Sequence, residues 1–181
     1  LDHGKYIMGP EVFTLEQNLS EFTNSKHTIS CSSGTDALLM ALMSLGVKPG
    51  DYIITSPFTY IATAEVISLL GAIPRFVDVD PKTFNIDIEK LESEINKAPD
   101  RYKVVMPVNI FGLPANFIDL DKLKKKFNLV IIEDAAQSFG ASIDEKISCS
   151  FGDIGCTSFF PAKPLGCYGD GGAIFTDDEE I

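Results

Sequence analysis

The 181-residue sequence has no apolar run approaching the roughly 18 residues that a membrane-spanning helix needs. It has only two histidines, and its four cysteines form no CxxC pair, which argues against a zinc site. Basic residues are also scarce: 15 Lys and Arg stand against 26 Asp and Glu, giving a formal net charge of −11. This balance disfavours non-specific binding to nucleic acid or to an anionic membrane surface, but it is compatible with a locally positive site for a small anion.

The four cysteines, Cys31, Cys149, Cys156 and Cys167, are too sparse for a disulfide scaffold, and we expect free thiols in a reducing cytoplasm. The start of the sequence lacks the basic flank and apolar stretch of a signal peptide. The sequence begins at Leu1 rather than Met and stops within an acidic helix start, so we expect a domain truncated at both ends.

The periodicity of apolar residues predicts an alternation of strands and helices. The predicted helices are 10–25, 36–45, 61–70, 86–97 and 117–127, and the predicted strands are 27–31, 52–55, 73–79, 103–108, 129–133, 155–160 and 172–176. Helices of about 10–12 residues between strands indicate an α/β fold with a mainly parallel sheet. Several strands are apolar on both faces, as expected for a sheet that helices cover on each side.

Ligands of an open parallel sheet bind beyond the carboxyl ends of its strands, so polar residues that follow strands are candidates for a site. The first candidate is Ser33-Gly34-Thr35, between a strand and a helix. Gly34 allows close approach of the backbone, and a helix N-terminus suits a phosphate. A plain N-cap explains the same residues, and neither a P-loop nor a GxGxxG motif is present.

The second candidate is Asp134, which follows the most apolar strand and precedes Gln137. A carboxylate at a buried strand end needs a partner or loses its charge, and a pyridinium nitrogen would be such a partner. The third candidate is Lys163, held between two prolines in an apolar stretch; such a lysine can act as a nucleophile. An N-cap and a surface turn are the simpler explanations for these two positions.

Taken together, a lysine, an anion cradle and a carboxylate are the groups that Schiff-base chemistry needs. Three stretches, 32–38, 133–140 and 158–166, resemble the DegT/DnrJ-type sugar aminotransferases. These are fold type I enzymes dependent on pyridoxal 5'-phosphate (PLP), and the likeness runs from Gly4 to the last residue. The resemblance implies that residues 1–181 are a PLP-binding large domain, an α/β/α sandwich, without the C-terminal small domain.

The resemblance also implies roles for individual residues. Lys163 would form the Schiff base and move the proton, Asp134 would keep the ring nitrogen protonated, and Gln137 would bond the ring hydroxyl oxygen. The remaining implied contacts are the phosphate (Gly34, Thr35, Ser158), the face of the ring (Tyr60) and the sugar (Gly4, Tyr6).

The implied reaction is transfer of an amino group, from glutamate, to a keto nucleotide sugar for bacterial surface polysaccharides. The stretches 3–12 and 159–172 are most similar to the subgroup that acts at C3 of UDP-2-acetamido-2-deoxy-3-keto-glucuronic acid. Three alternatives stay open: a PLP-dependent sugar dehydratase or C4-keto-sugar aminotransferase, a non-catalytic nucleotide-binding module, and a dimerisation element. The family resemblance further implies a homodimer with shared active sites, in which a partner subunit contributes an asparagine to the phosphate.

Overall fold

The computed structural model describes residues 2–181, which form a seven-stranded sheet between two layers of helices. The helices are α1 (Pro10–Thr23), α2 (Gly34–Ser44), α3 (Ala62–Leu69), α4 (Ile88–Lys97) and α5 (Phe117–Phe127). The strands are β1 (His27–Cys31), β2 (Tyr52–Thr55), β3 (Ile73–Phe76), β4 (Tyr102–Met106), β5 (Val130–Asp134), β6 (Ser142–Ile143), β7 (Lys146–Ile147), β8 (Ile154–Ser158) and β9 (Gly172–Thr176). Short 3-10 turns occur at Pro99–Arg101 and Ile110–Gly112.

The main sheet has the strand order β1-β9-β8-β5-β4-β2-β3. The pairs from β8 through β5, β4 and β2 to β3 are parallel, whereas β9 runs antiparallel to both of its neighbours, β1 and β8. Six carboxyl ends therefore lie along one edge of the sheet, together with the amino end of β9. Strands β6 and β7 form a separate small hairpin.

The strands bury side chains on both faces, because neighbouring residues point alternately to the two helix layers. Ile53 and Ile132 pack with α2 and α3, while Ile54 and Ile131 pack with α4 and α5. This double burial explains why the central strands are continuously apolar rather than alternating in sequence. The predicted mainly parallel sheet flanked by helices is confirmed.

The bounds of β1, β2, β9 and α5 coincide with the prediction, and the other predicted elements differ by one to three residues at an end. The spacing of Val12, Leu15, Leu19 and Phe22 predicts one buried apolar stripe on α1, but only Leu19 is buried, and Leu15 and Phe22 are 40% and 49% exposed. The hairpin Ser142–Ile147 was not predicted; its strands are only two residues long.

Among the described residues, no helix combines the length and the apolar character needed to cross a membrane. All four cysteines are free thiols, with Cys149 and Cys156 buried.

Candidate active site

A cavity of about 480 Å³ opens at the edge of the sheet where the carboxyl ends of the parallel strands meet. It collects residues from five different strand ends and from the loops that follow them. The lining residues are Ser33, Gly34, Thr35, Leu38, Thr59, Tyr60, Ala62, Thr63, Val108, Ile110, Asp134, Ala136, Gln137, Ser158, Phe160, Ala162, Lys163 and Asp170. All seven residues predicted to hold the cofactor are in this set.

The N-terminus of α2 and the end of β8 meet closely at one wall of the cavity. Ser33 is the N-cap of α2, and its hydroxyl accepts a hydrogen bond from the backbone N–H of Asp36 at 3.0 Å. Gly34 lies against Ser158 so tightly that a Cβ on Gly34 would be 2.5 Å from the Cβ of Ser158. The wall therefore exposes helix N–H groups next to serine and threonine hydroxyls, a combination that suits a phosphate. Residues 33–35 therefore fit both interpretations, a plain N-cap and a binding site for an anion.

Asp134 ends β5, at the centre of the sheet, and is 5% exposed. Its Oδ2 accepts a hydrogen bond from the Thr63 hydroxyl at 2.8 Å, and its Oδ1 accepts a longer one from the backbone N–H of Ala136 at 3.2 Å. Burial raises the pKa of Asp134 above its ordinary value, and these hydrogen bonds and the charge of Lys163 offset only part of that rise. The carboxyl group is thus desolvated but has donors and a cation to support its ionised form.

Lys163 lies in the loop that joins β8 to the adjacent strand β9. Its Nζ donates a hydrogen bond to Oε1 of Gln137 at 2.9 Å, and its backbone N–H donates to the carbonyl of Phe160 at 2.8 Å. The loop is closed at its base, where the N–H of Phe159 donates to the carbonyl of Gly171 at 2.7 Å. The amine therefore projects into the cavity from a short, hydrogen-bonded turn.

Tyr60 also lines the cavity and is 73% exposed, so one face of its ring is available to a ligand. Gly4 and Tyr6 are not among the lining residues, and both are exposed. Their assignment to a sugar site stays a prediction. Within the chain from residue 2 onward, no group of three or more His, Cys, Asp or Glu side chains is placed to hold a metal ion.

Several lining residues were not predicted, notably Thr59, Thr63 and Asp170. Thr63 lies inside the apolar face of α3, and no sequence signal separates it from a core residue. Asp170 stands in a glycine-rich loop and has an acidic side chain, the type of signal that could have identified it.

A second polar cluster lies behind the site, around Glu133, which is fully buried. The Glu133 carboxylate accepts hydrogen bonds from the Asn109 amide and the Ser148 hydroxyl, both at 2.8 Å, and from the backbone N–H groups of Cys149 and Phe151 at 2.9 and 3.0 Å. Burial raises the pKa of Glu133, and the four donors act in the opposite direction. The cluster connects β5 to the loops that precede α5 and β8.

The chain matches the DegT/DnrJ/EryC1/StrS aminotransferase family over residues 1–181. It belongs to this family. A curated relative, the UDP-2-acetamido-2-deoxy-3-oxo-D-glucuronate aminotransferase of Pseudomonas aeruginosa, is 54% identical over the whole chain, which spans 50% of that relative.

Two solved structures show the same architecture. A family aminotransferase from Brucella abortus is 48% identical, with a TM-score of 0.95 over 99% of this chain and 49% of its own. NtdA from Bacillus subtilis, solved with its bound cofactor PMP, is 35% identical, with a TM-score of 0.91 over 99% of this chain and 40% of its own. The chain thus spans about half the length of the relatives it matches, and the predicted family is confirmed.

Proposed function

We propose that the protein containing this chain transfers an amino group to a keto nucleotide sugar, with PLP as cofactor. The observation that carries this proposal is the convergence of Lys163, Asp134 and the N-terminus of α2 on one cavity. These three elements come from separate parts of the sequence, and each supplies a group that PLP chemistry requires.

The residues present fit PLP at three points. The α2 N-terminus beside Ser158 suits the phosphate, and the tight approach at Gly34 leaves its N–H groups unobstructed by a side chain. The desolvated carboxyl of Asp134 suits a protonated ring nitrogen. The amine of Lys163 projects into the same cavity, as a group that must reach the cofactor aldehyde does.

When bound, PLP supplies an electron sink that allows an amino acid to lose its α-proton and release its amino group. In that setting Lys163 would hold the cofactor and carry the proton that the amino acid loses. Asp134 would keep the ring nitrogen protonated, which strengthens the electron sink. Gln137 would bond the ring hydroxyl oxygen, and Tyr60 would cover the face of the ring.

The proposed substrate is UDP-2-acetamido-2-deoxy-3-keto-glucuronic acid, with glutamate as the amino donor. The support is the name of the Pseudomonas aeruginosa relative, together with the resemblance of residues 3–12 and 159–172 to that subgroup. Gly4 and Tyr6 are proposed to contact the sugar on the resemblance alone. We further propose that the reaction supplies surface polysaccharide synthesis in the cytoplasm.

Absorbance spectra of the full-length protein with added PLP test the cofactor assignment. We expect a visible Schiff-base band for the wild type and none for Lys163→Ala. Absence of the band from the wild-type protein, or many turnovers by Lys163→Ala, would contradict the proposal. The mass of the product separates amination from the dehydration that the alternative enzyme would catalyse.

Offering C3-keto and C4-keto UDP-sugars to the same protein tests the substrate. Amination of the C3-keto sugar with the larger kcat/KM supports the proposal, and a preference for the C4-keto sugar contradicts it.

The chain is proposed to be the PLP-binding large domain of a homodimer. Among the described residues that line the cavity, Lys163 is the sole Lys or Arg, and it shares the cavity with Asp134 and Asp170. A glutamate and a UDP-uronate together carry several negative charges, so further cations have to come from the other half of the protein or from a second subunit.

An exposed aromatic cluster, two of whose members directly adjoin the lining residues Thr59 and Ile110 in sequence, also supports a covering subunit. Phe58, Phe84 and Phe111 contact one another with ring centroids 5.4–5.9 Å apart, and each is 41–68% exposed. Sedimentation of the full-length protein should give twice the monomer mass, and a monomer with full activity would contradict the shared site.

A further inference from the structure

Two threonine hydroxyls stand in line behind the carboxyl group of Asp134. The Thr63 hydroxyl is 2.8 Å from Oδ2 of Asp134, and it is 2.9 Å from the hydroxyl of Thr59. Thr63 is 1% exposed and lies in the first turn of α3, 71 positions away from Asp134 in sequence. The contact therefore exists only because α3 packs beside the end of β5.

The direction of these hydrogen bonds follows from the number of protons. An ionised carboxylate only accepts, and a threonine hydroxyl has one proton to donate. Thr63 therefore donates its proton to Asp134, and Thr59 donates its own proton to Thr63. If Asp134 were protonated on Oδ2, both bonds could reverse, so this direction of donation requires an unprotonated Oδ2.

The same contacts leave lone pairs of the Asp134 carboxylate available to a ligand. Oδ2 accepts one bond of 2.8 Å from Thr63, and Oδ1 accepts one longer bond of 3.2 Å from the N–H of Ala136. Each oxygen keeps a lone pair, and Oδ1, with the longer bond, is the less strongly bonded of the two. Bonds to both oxygens also fix the plane of the carboxyl group.

We propose that Thr63, supported by Thr59, is a positioning residue that holds Asp134 ionised and oriented toward a protonated ring nitrogen. This inference rests on the proposed function, because it assigns a purpose to Asp134 in PLP binding. Thr63 itself acts through Asp134 and is not a catalytic residue.

The charges around Asp134 support this role. Burial raises the pKa of Asp134, and the hydrogen bond from Thr63 is the largest influence that lowers it, ahead of the Ala136 N–H and the charge of Lys163. Without the hydroxyl, the neutral form of Asp134 gains population, and a neutral carboxyl group binds a protonated nitrogen less well.

Besides Lys163, Asp170 and Tyr60, which line the same cavity, the titratable groups near Asp134 are Glu133, Cys149 and Cys156. Burial holds the pKa values of both thiols well above the ordinary value, so both stay neutral over the range in which carboxyl groups titrate. Burial also raises the pKa of Glu133, whose donors do not include Thr63. All three groups are the same in the wild type and in the threonine variants compared below.

Three variants of the full-length protein test the proposal: Thr63→Val, which removes the hydroxyl at nearly constant shape, Thr63→Ser, which restores it, and Thr59→Val. The first readout is the Kd for PLP. The second is the titration of Asp134 in cofactor-free protein, followed by carbon-13 NMR of labelled aspartate carboxyl groups and assigned with Asp134→Asn.

For Thr63→Val we expect a Kd about tenfold higher or more and a raised Asp134 pKa, as for loss of a bond to a charged group. Thr63→Ser should restore both quantities. Thr59→Val should change the Kd and the Asp134 pKa in the same direction as Thr63→Val, by an amount about two- to threefold smaller.

An unchanged Kd and an unchanged Asp134 titration in Thr63→Val would overturn the proposal. If that protein does not fold, as seen by circular dichroism, an unchanged Thr59→Val overturns it instead. A wild type that binds no PLP contradicts the proposed function, while the cofactor-free titration still decides the role of Thr63.

Discussion

Gly34 shapes the site through the side chain that it lacks. A methyl group at this position would overlap Ser158, so we expect Gly34→Ala to separate α2 from β8. The expected cost in folding stability is about 1–3 kcal/mol, with weaker binding of PLP because the cradle is displaced. Gly169→Ala is the matched control, since a Cβ there meets nothing within 4 Å. Urea unfolding and PLP titration of both variants check this, and equal effects at the two glycines would contradict it.

Glu133 is a buried acid whose four hydrogen bonds connect β5 to the loops that precede α5 and β8. In Glu133→Gln one acceptor oxygen becomes an NH2 group, which faces a donor such as the N–H of Phe151 or the amide of Asn109. We expect a loss of about 2–4 kcal/mol in stability despite the equal size of the two side chains. Denaturant unfolding measures the loss, and a change below about 0.5 kcal/mol would mean that the cluster adapts to either group.

Individual site residues differ in how far the sequence predicts them. Asp134 stands at the end of an apolar strand and Lys163 stands between two prolines, so their positions in the sequence make both residues candidates. Thr63 carries no such mark, because a threonine in a helix with an apolar face reads as part of the core. Its contact with Asp134 appears only when the packing of α3 against β5 is known.

At the scale of elements, Glu94 joins α4 to strands β3 and β4, which lie on opposite sides of β2. Its carboxylate accepts hydrogen bonds from Nε of Arg75 in β3 at 2.6 Å, from Tyr102 in β4 at 2.7 Å and from Lys97 at 2.8 Å. These partners lower the pKa of Glu94 from its ordinary value of 4.5 to about 2. A lowered pKa means that the contribution to stability is present above pH 4.5 and is lost as the pH falls toward 2.

We therefore expect Glu94→Gln to lose about 1–2 kcal/mol at neutral pH, a figure reduced because the side chains of Arg75 and Lys97 are 48% and 64% exposed. The acid-induced loss of stability between pH 4.5 and about 2 should also be smaller in the variant. Unfolding curves at several pH values measure both effects, with Glu89→Gln, exposed on the same helix, as the control. Parallel pH profiles for Glu94→Gln and the wild type would contradict the assignment.

Elements with strong local sequence signals were predicted closely, and the elements that were predicted less well show what local sequence does not contain. Helix α5 combines a clear apolar face with an Asn116 cap and a basic last turn, so local chemistry fixes both ends. Helix α1 has an apolar stripe too, but a stripe does not say whether this domain covers it, and Phe22 stays half exposed. The hairpin Ser142–Ile147 is too short for periodicity to detect.

For the molecule as a whole, the different burial of the strands predicts that they resist local unfolding to different degrees. Strands β8 and β9 are buried along their whole length, whereas the edge strand β3 is mostly exposed. We expect backbone amides of Ile154–Ser158 and Gly172–Thr176 to exchange with deuterium far more slowly than those of Ile73–Phe76. Mass spectrometry after timed exchange checks the order, and equally fast exchange in all three strands would mean that the sheet opens as one unit.

The antiparallel course of β9 has a consequence for how this site can change. Because β8 ends and β9 begins at the same edge, with Ser158 paired to Gly172, residues 159–171 leave and re-enter the sheet through adjacent strands. The loop that carries Lys163 is therefore held at both ends by the hydrogen bonds between β8 and β9. We expect a change in the length or sequence of this loop to leave the N-terminus of α2 and Asp134 in place, because both belong to other elements.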